Sequence, residues 1–179
     1  MLTIGDRFPN FTAKAVVSND IETAFTEVTN TTAAGKWQVY FFYPKDFTFI
    51  CPTEIARFND LNGEFEKHNA QVYGVSTDSD FVHLAWRRSH PNLQDLHFPL
   101  ISDIRRDLSI ALGVLDRKEG VCTRATFIVD PEGIIRYAAA NDLDVGRNPD
   151  EILRILVALQ TGELCACNWT PGDHFLKTA

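Results

Sequence analysis

The sequence predicts an α/β fold, a central sheet with helices on its faces, followed by a C-terminal arm. Three observations predict it. Short apolar runs alternate along the chain with segments of helical period, the order of strands and helices that share one sheet. The run Val39-Tyr40-Phe41-Phe42 is apolar throughout, as in a buried strand, and an amphipathic helical pattern follows it. Periodicity then stops at about residue 160: Gly162, Pro171 and Gly172 punctuate a stretch with no apolar repeat. The expected division is one domain over residues 1–160 and an arm over 161–179 that lies on something else, such as another subunit. A chain of 179 residues is long enough for one sizeable core.

Taken in order, residues 1–12 read as an extended opening with turn residues and no helical period. Residues 13–36 are polar and read as loops with room for one short hairpin. Trp37 to Tyr43 is a strand. Pro44, Lys45 and Asp46 turn the chain, after which Ile55, Phe58, Leu61, Phe65 and His68 fall at three- and four-residue steps on one helical face. Pro52 lacks a backbone N–H and fits the first helical position, which puts Cys51 at or beside the helix N-terminus. Gln71 to Ser76 is the next strand. The polar run Thr77-Asp78-Ser79-Asp80 caps a helix bearing Phe81, Leu84, Ala85 and Trp86, which must stop near Pro91. Phe98 to Ile101 is a short strand. Asp103 is the expected cap of a helix carrying Ile104, Leu108 and Leu112, closed by Gly113. Arg124 to Asp130 and Gly133 to Ala139 are strands joined at Pro131-Glu132-Gly133. Asn148-Pro149-Asp150-Glu151 starts the last helix, with a cap, a proline and acids set against the dipole. Its buried face is Ile152, Ile155, Leu156 and Leu159.

Composition narrows the function. A formal charge of −7 argues against nucleic acid as a main partner, because phosphate binding needs a basic footprint. No apolar run approaches the roughly 20 residues of a membrane span. Met1-Leu2-Thr3-Ile4-Gly5-Asp6 has no basic region ahead of an apolar one, so no secretory signal is expected and the cytoplasm is the expected location. Cysteines stand at 51, 122, 165 and 167. A chain of this size needs no disulfide framework, and Cys165 and Cys167 are too close to pair comfortably with each other, so reactive thiols in a reducing compartment fit better. A disulfide oxidoreductase of thioredoxin type needs Cys-x-x-Cys, and Pro52-Thr53-Glu54 leave no second cysteine. Cys165-x-Cys167 with His174 lacks an evident fourth ligand for zinc, so neither metal nor cofactor is expected.

The chemistry centres on Cys51. A helix N-terminus offers unpaired N–H groups and the positive end of the macrodipole, and both favour a thiolate. Position alone leaves this reading level with that of a small buried hydrophobe. Thr48, one turn upstream, can aim a hydroxyl at the sulfur. Arg124 opens an apolar strand and by itself reads as a strand-edge arginine in solvent. Glu54 suits a first helical turn for its charge alone.

Pro44-x-x-x-Thr48-x-x-Cys51, within the longer run from Phe42 to Glu54, resembles the active-site pattern of the peroxiredoxins, in particular the typical two-cysteine class known as the alkyl hydroperoxide reductase C group. Gly5-Asp6 and Phe8-Pro9 resemble the opening of that domain. Spacing alone does not separate a thioredoxin-like sheet from a flavodoxin-like one; the resemblance implies the former. It implies a thiol peroxidase that reduces hydrogen peroxide and organic hydroperoxides through a Cys51 sulfenic acid, without metal, flavin or haem. Arg124 then supports the sulfur and the peroxide oxygen, Thr48 hydrogen-bonds both, Pro44 shields the sulfur from water, and Glu54 orients Arg124 or a neighbour. Cys165 matches the resolving cysteine, implying a disulfide between subunits, a homodimer and rings of dimers. Electrons would come from a thioredoxin-like or dedicated disulfide reductant. Cys167 departs from the common pattern as a third thiol that shares resolution or passes the disulfide on. Cys122 reads as an inert buried thiol, and Phe47 and Phe49 as either core or contact residues. Arg147 and Arg154 read as structural ties for the arm or for the loop near Cys51. The absence of Gly-Gly-Leu-Gly before the third helix and of a terminal Tyr-Phe implies resistance to overoxidation. A chaperone-like ring remains open as an additional role.

Overall fold

The computed structural model describes residues 1–177, so the last two residues of the predicted arm, Thr178 and Ala179, lie outside the described residues. In chain order the elements are β1 (Thr12–Val16), β2 (Phe25–Thr29), β3 (Trp37–Phe42), α1 (Cys51–Asp60), α2 (Asn62–Lys67), β4 (Ala70–Ser76), α3 (Asp80–Ser89), β5 (Leu100–Ser102), α4 (Asp107–Leu112), β6 (Arg124–Val129), β7 (Ile135–Asn141) and α5 (Pro149–Thr161). The strands form one seven-stranded sheet in the order β2-β1-β5-β4-β3-β6-β7. β3, β4 and β5 run parallel, while β6 and β7 on one side and β1 and β2 on the other are antiparallel. An all-parallel, flavodoxin-like sheet is thereby excluded.

β3 explains the central placement. Its residues are buried on both faces, so alternate side chains feed two cores. Val39, Phe41 and Tyr43 pack with Ile55 and Phe58 of α1, Phe65 of α2, Trp86 of α3 and Leu156 of α5. Tyr40 and Phe42 face the other way, toward Phe8, Tyr73, Leu108 and Leu112. The Phe41 ring stacks on Phe58 with centroids 4.2 Å apart, and Gly74 on β4 makes room for it. A Cβ at Gly74 would lie 2.9 Å from Phe41 Cζ and 2.8 Å from Leu100 Cδ2.

Several predicted boundaries move, each for a local reason. The single helical face from Ile55 to His68 is two helices that bend at Leu61, and His68 is the C-cap of α2, bonded to Gln160. The polar stretch after residue 12 holds the β1–β2 hairpin, with Thr12 opposite Thr29 and Val16 opposite Phe25. In α3 the inward residues are His83, Leu84, Trp86 and Arg87, and Phe81 and Ala85 are exposed. β5 and β7 each begin two residues later than expected, the second after the Gly133 turn at φ +81°. The N-cap of α4 is Arg106, at φ 63°, not Asp103, whose carboxylate nevertheless accepts from the Leu108 and Ser109 amides of the first turn. The helix therefore starts at Asp107 and leaves Ile104 exposed. α5 starts as expected, with the Asn148 side chain accepting from the Asp150 and Glu151 amides.

The arm is irregular and closes on itself: the Leu176 amide donates to Leu164, and Trp169 stacks on Phe175. Arg154 of α5 anchors it by donating to the Trp169 carbonyl at 2.6 Å. No helix among the described residues is long and apolar enough to cross a membrane.

Candidate active site

The site forms where β3 ends and α1 begins. Cys51 is the first helical residue and Pro52 the second, so the proline removes an N–H that the first turn would leave unpaired. The sulfur is buried, and Pro44, also buried, precedes it in the same loop. The Thr48 hydroxyl lies 3.1 Å from Cys51 Sγ and 2.8 Å from the Lys45 carbonyl, so its one proton serves either acceptor.

Arg124 reaches the sulfur from β6, the antiparallel neighbour of β3. Its Nη1 is 3.4 Å from Sγ and donates to Glu54 Oε2 at 2.7 Å, while Nε donates to the Leu143 carbonyl at 2.7 Å. It is 5% exposed, so the solvent-facing reading of this arginine is excluded. Glu54 lies one turn into α1 and bridges two guanidiniums. Its Oε1 accepts from the backbone N–H and Nε of Arg147 at 3.0 and 2.9 Å. Arg147 also donates to the Ala125 and Phe42 carbonyls and to the Thr126 hydroxyl, and its guanidinium sits 5.5 Å over the Phe41 ring. Burial holds its pKa below the ordinary arginine value despite the Glu54 carboxylate beside it.

Sequence reasoning placed Arg147 as a tie for the arm or for the loop near Cys51. It instead joins α1, β3 and β6 behind the sulfur, and nothing in its local sequence signals partners so distant in the chain. Two guanidiniums against one carboxylate leave this buried cluster with one net positive charge beside Cys51.

A cavity of about 430 Å³ opens over the site, walled by Pro44, Thr48, Val121, Arg124 and Leu143. A Lys45–Glu119 ion pair of 3.5 Å stands at its rim. The larger cavity, about 800 Å³ beside the β1–β2 hairpin, includes none of these residues. Phe47 and Phe49, in the loop before Cys51, are exposed, Phe49 to 93%.

Pro44, Thr48, Cys51, Glu54 and Arg124 are thus brought together; Cys165 and Cys167 are not. All four cysteines are free. Cys165 sits by the end of α5, 3.6 Å from the Thr161 hydroxyl, and Cys167 is exposed. Cys122 is fully buried, and burial pushes its thiol pKa far up, which disfavours the thiolate there. No cluster of three or more His, Cys, Asp or Glu side chains fit to hold a metal occurs among the described residues.

Comparison with known proteins agrees with this geometry. The AhpC/TSA family model matches residues 4–138. The alkyl hydroperoxide reductase C of Mycobacterium tuberculosis is 52% identical over 98% of this chain and 94% of its own length. The solved Mycobacterium tuberculosis AhpC superposes with a TM-score of 0.87 at 51% identity, covering 94% of this chain and 99% of that one. A reduced 2-Cys peroxiredoxin of Plasmodium vivax gives 0.91 at 34% identity, covering 99% and 94%. With its thioredoxin-like sheet, the chain belongs to the AhpC/TSA family and is a thiol-dependent peroxidase, a peroxiredoxin.

Proposed function

We propose that this peroxidase reduces hydroperoxides with Cys51 as nucleophile and Cys165 of a second copy as the resolving thiol. The thiolate attacks the terminal hydroperoxide oxygen. The O–O bond breaks, the sulfur becomes a sulfenic acid, and the leaving alkoxide or hydroxide takes a proton from solvent to give alcohol or water. Arg124 donates to the sulfur and to the oxygen on which charge develops. Thr48 hydrogen-bonds the same centre, Pro44 keeps water off it, and Glu54 fixes Arg124. The single observation that carries this reading is the Arg124 guanidinium 3.4 Å from a buried Cys51 sulfur while anchored to Glu54.

The Cys165 sulfur then attacks the sulfenic sulfur, water leaves and a disulfide forms. Because Cys51 is buried and Cys165 lies elsewhere, the loop before α1 must open first. Exposed Phe47 and Phe49 suit contact with another copy, which supports a homodimer and rings of dimers. Exposed Cys167 suits hand-over of the disulfide to a thioredoxin-like or dedicated reductant. Four free thiols fit a reducing cytoplasm. The test is Cys51→Ser: it should abolish peroxide consumption, whereas wild-type protein oxidised without reductant should yield an intersubunit Cys51–Cys165 peptide. Retained consumption in Cys51→Ser would end the proposal.

A further inference from the structure

The loop carrying Pro44 and Thr48 is tied down by a residue between them. Asp46 is 6% exposed, and its carboxylate faces a histidine with no exposed surface. His83 Nδ1 lies 2.7 Å from Asp46 Oδ2, and His83 Nε2 lies 3.2 Å from the Ile101 carbonyl. The Tyr43 hydroxyl donates to Asp46 Oδ1 at 2.9 Å. The Asp46 amide donates to Asp78 Oδ2, which also accepts from Ser76. The loop is therefore fixed to α3, through His83 to β5, and to the turn after β4, as well as to its own neighbour Tyr43.

Both ring nitrogens of His83 face acceptors, so the pair is fully satisfied only while both are protonated. When one proton leaves, a lone pair opposes either the Asp46 carboxylate at 2.7 Å or the Ile101 carbonyl at 3.2 Å, at a site with no solvent exposure. The titratable groups facing the imidazole are Asp46, Tyr43 and Asp78; burial raises Tyr43 well above its usual range, which leaves two carboxylates.

We propose that the Asp46–His83 pair is a positioning element: while both ring nitrogens are protonated and bonded the loop stays closed over Cys51 and favours hydroperoxide capture, and when one proton leaves the anchor weakens and the loop opens toward the resolving thiol. This rests on the reading of Cys51 as nucleophile. Burial alone would lower the imidazole pKa, but the bond and charge of Asp46, with Asp78 and the Ile101 carbonyl, outweigh it and raise it. Burial likewise raises Asp46. Both directions say that the pair keeps its proton to higher pH, and it titrates as a unit. The closed state is thus fully favoured below the ordinary histidine pKa of about 6.5 and loses that support as pH rises through the raised value.

The test compares wild type, His83→Gln and Asp46→Asn between pH 5.5 and 8.5. One single turnover measures capture by loss of hydrogen peroxide, and a second follows disulfide formation by quenching. His83→Gln should slow capture about tenfold at low pH and speed disulfide formation. The wild-type advantage in capture should shrink as pH rises. Asp46→Asn can donate its amide to a neutral His83, so it should keep the loop closed with capture near wild type at low pH and hold that advantage at high pH. Should His83→Gln fail to fold, Tyr43→Phe removes one donor to Asp46 and should shift both half-reactions two- to threefold in the same senses. Unchanged half-reactions in folded variants, or two rates that fall together at every pH, overturn the inference. Absence of any Cys51 sulfenic acid in wild type would instead overturn the parent reading.

Discussion

The two thiols to which the proposed cycle assigns the reaction sit in opposite surroundings. Cys51 is buried at a junction of β3, α1 and β6, with Arg124, Glu54 and Arg147 locked behind it. Cys165 lies in an irregular arm held mainly by the Arg154–Trp169 bond and its own internal contacts. The contrast teaches a division of labour. The nucleophile must be preorganised before substrate arrives, which requires groups on rigid elements. On the proposed cycle the second thiol has to travel to its partner, and a segment with few buried contacts can do so at low free-energy cost.

Changes behind Cys51 should therefore be far more damaging than changes in the arm. The largest effect is expected at Arg124. Arg124→Lys keeps a charge but loses the fork that spans Sγ, Glu54 and Leu143, and capture should fall about 100-fold in single-turnover kinetics. Cys165→Ser, by contrast, should leave capture near wild type and stop the catalytic cycle after one turnover. Equal loss of capture in both variants would break the comparison.

Glu54→Gln comes next, because it affects charge and fold together. It leaves two buried guanidiniums, Arg124 and Arg147, without a carboxylate. Breaking a buried pair in this way costs about 3–5 kcal/mol, readable as a lowered denaturation midpoint, and capture should fall with it. Gly74→Ala tests the packing beneath the site without touching its charges. The added methyl meets Phe41 and Leu100 inside 3 Å, and stability should drop by about 1–3 kcal/mol while the rate constant for capture stays close to wild type in the folded fraction.

The same contrast governs what could be read from the sequence. The junction at Cys51 was legible because each part is local: an apolar strand, a turn, a proline in the first helical turn. The start of α5 was legible for the same reason, since Asn148 caps its own neighbours. Arg147 was misplaced and His83 passed over, because their partners are 93 and 37 residues away and leave no periodic trace. Asp103 was read as the N-cap residue, a position Arg106 holds, and α4 as starting too early, because a left-handed Arg106 intervenes and arginine does not advertise that conformation. The bend at Leu61 was invisible since its residues keep the helical period across the break.

The smallest effect is expected in the arm, at Arg154→Ala. Arg154 is bidentate to Glu151 within α5 and donates to the Trp169 carbonyl. The ion pair is partly exposed and lies within one helix, so losing it should change global stability by less than about 1 kcal/mol. Losing the bond to Trp169 should free the arm locally: tryptophan emission should shift to longer wavelength as the buried Trp169 ring meets water. Capture at Cys51 should not change, while disulfide formation should change because Cys165 starts from a looser segment. If Arg154→Ala instead slowed capture as Glu54→Gln does, the arm would be part of the preorganised site, and the separation drawn between the two thiols would fail.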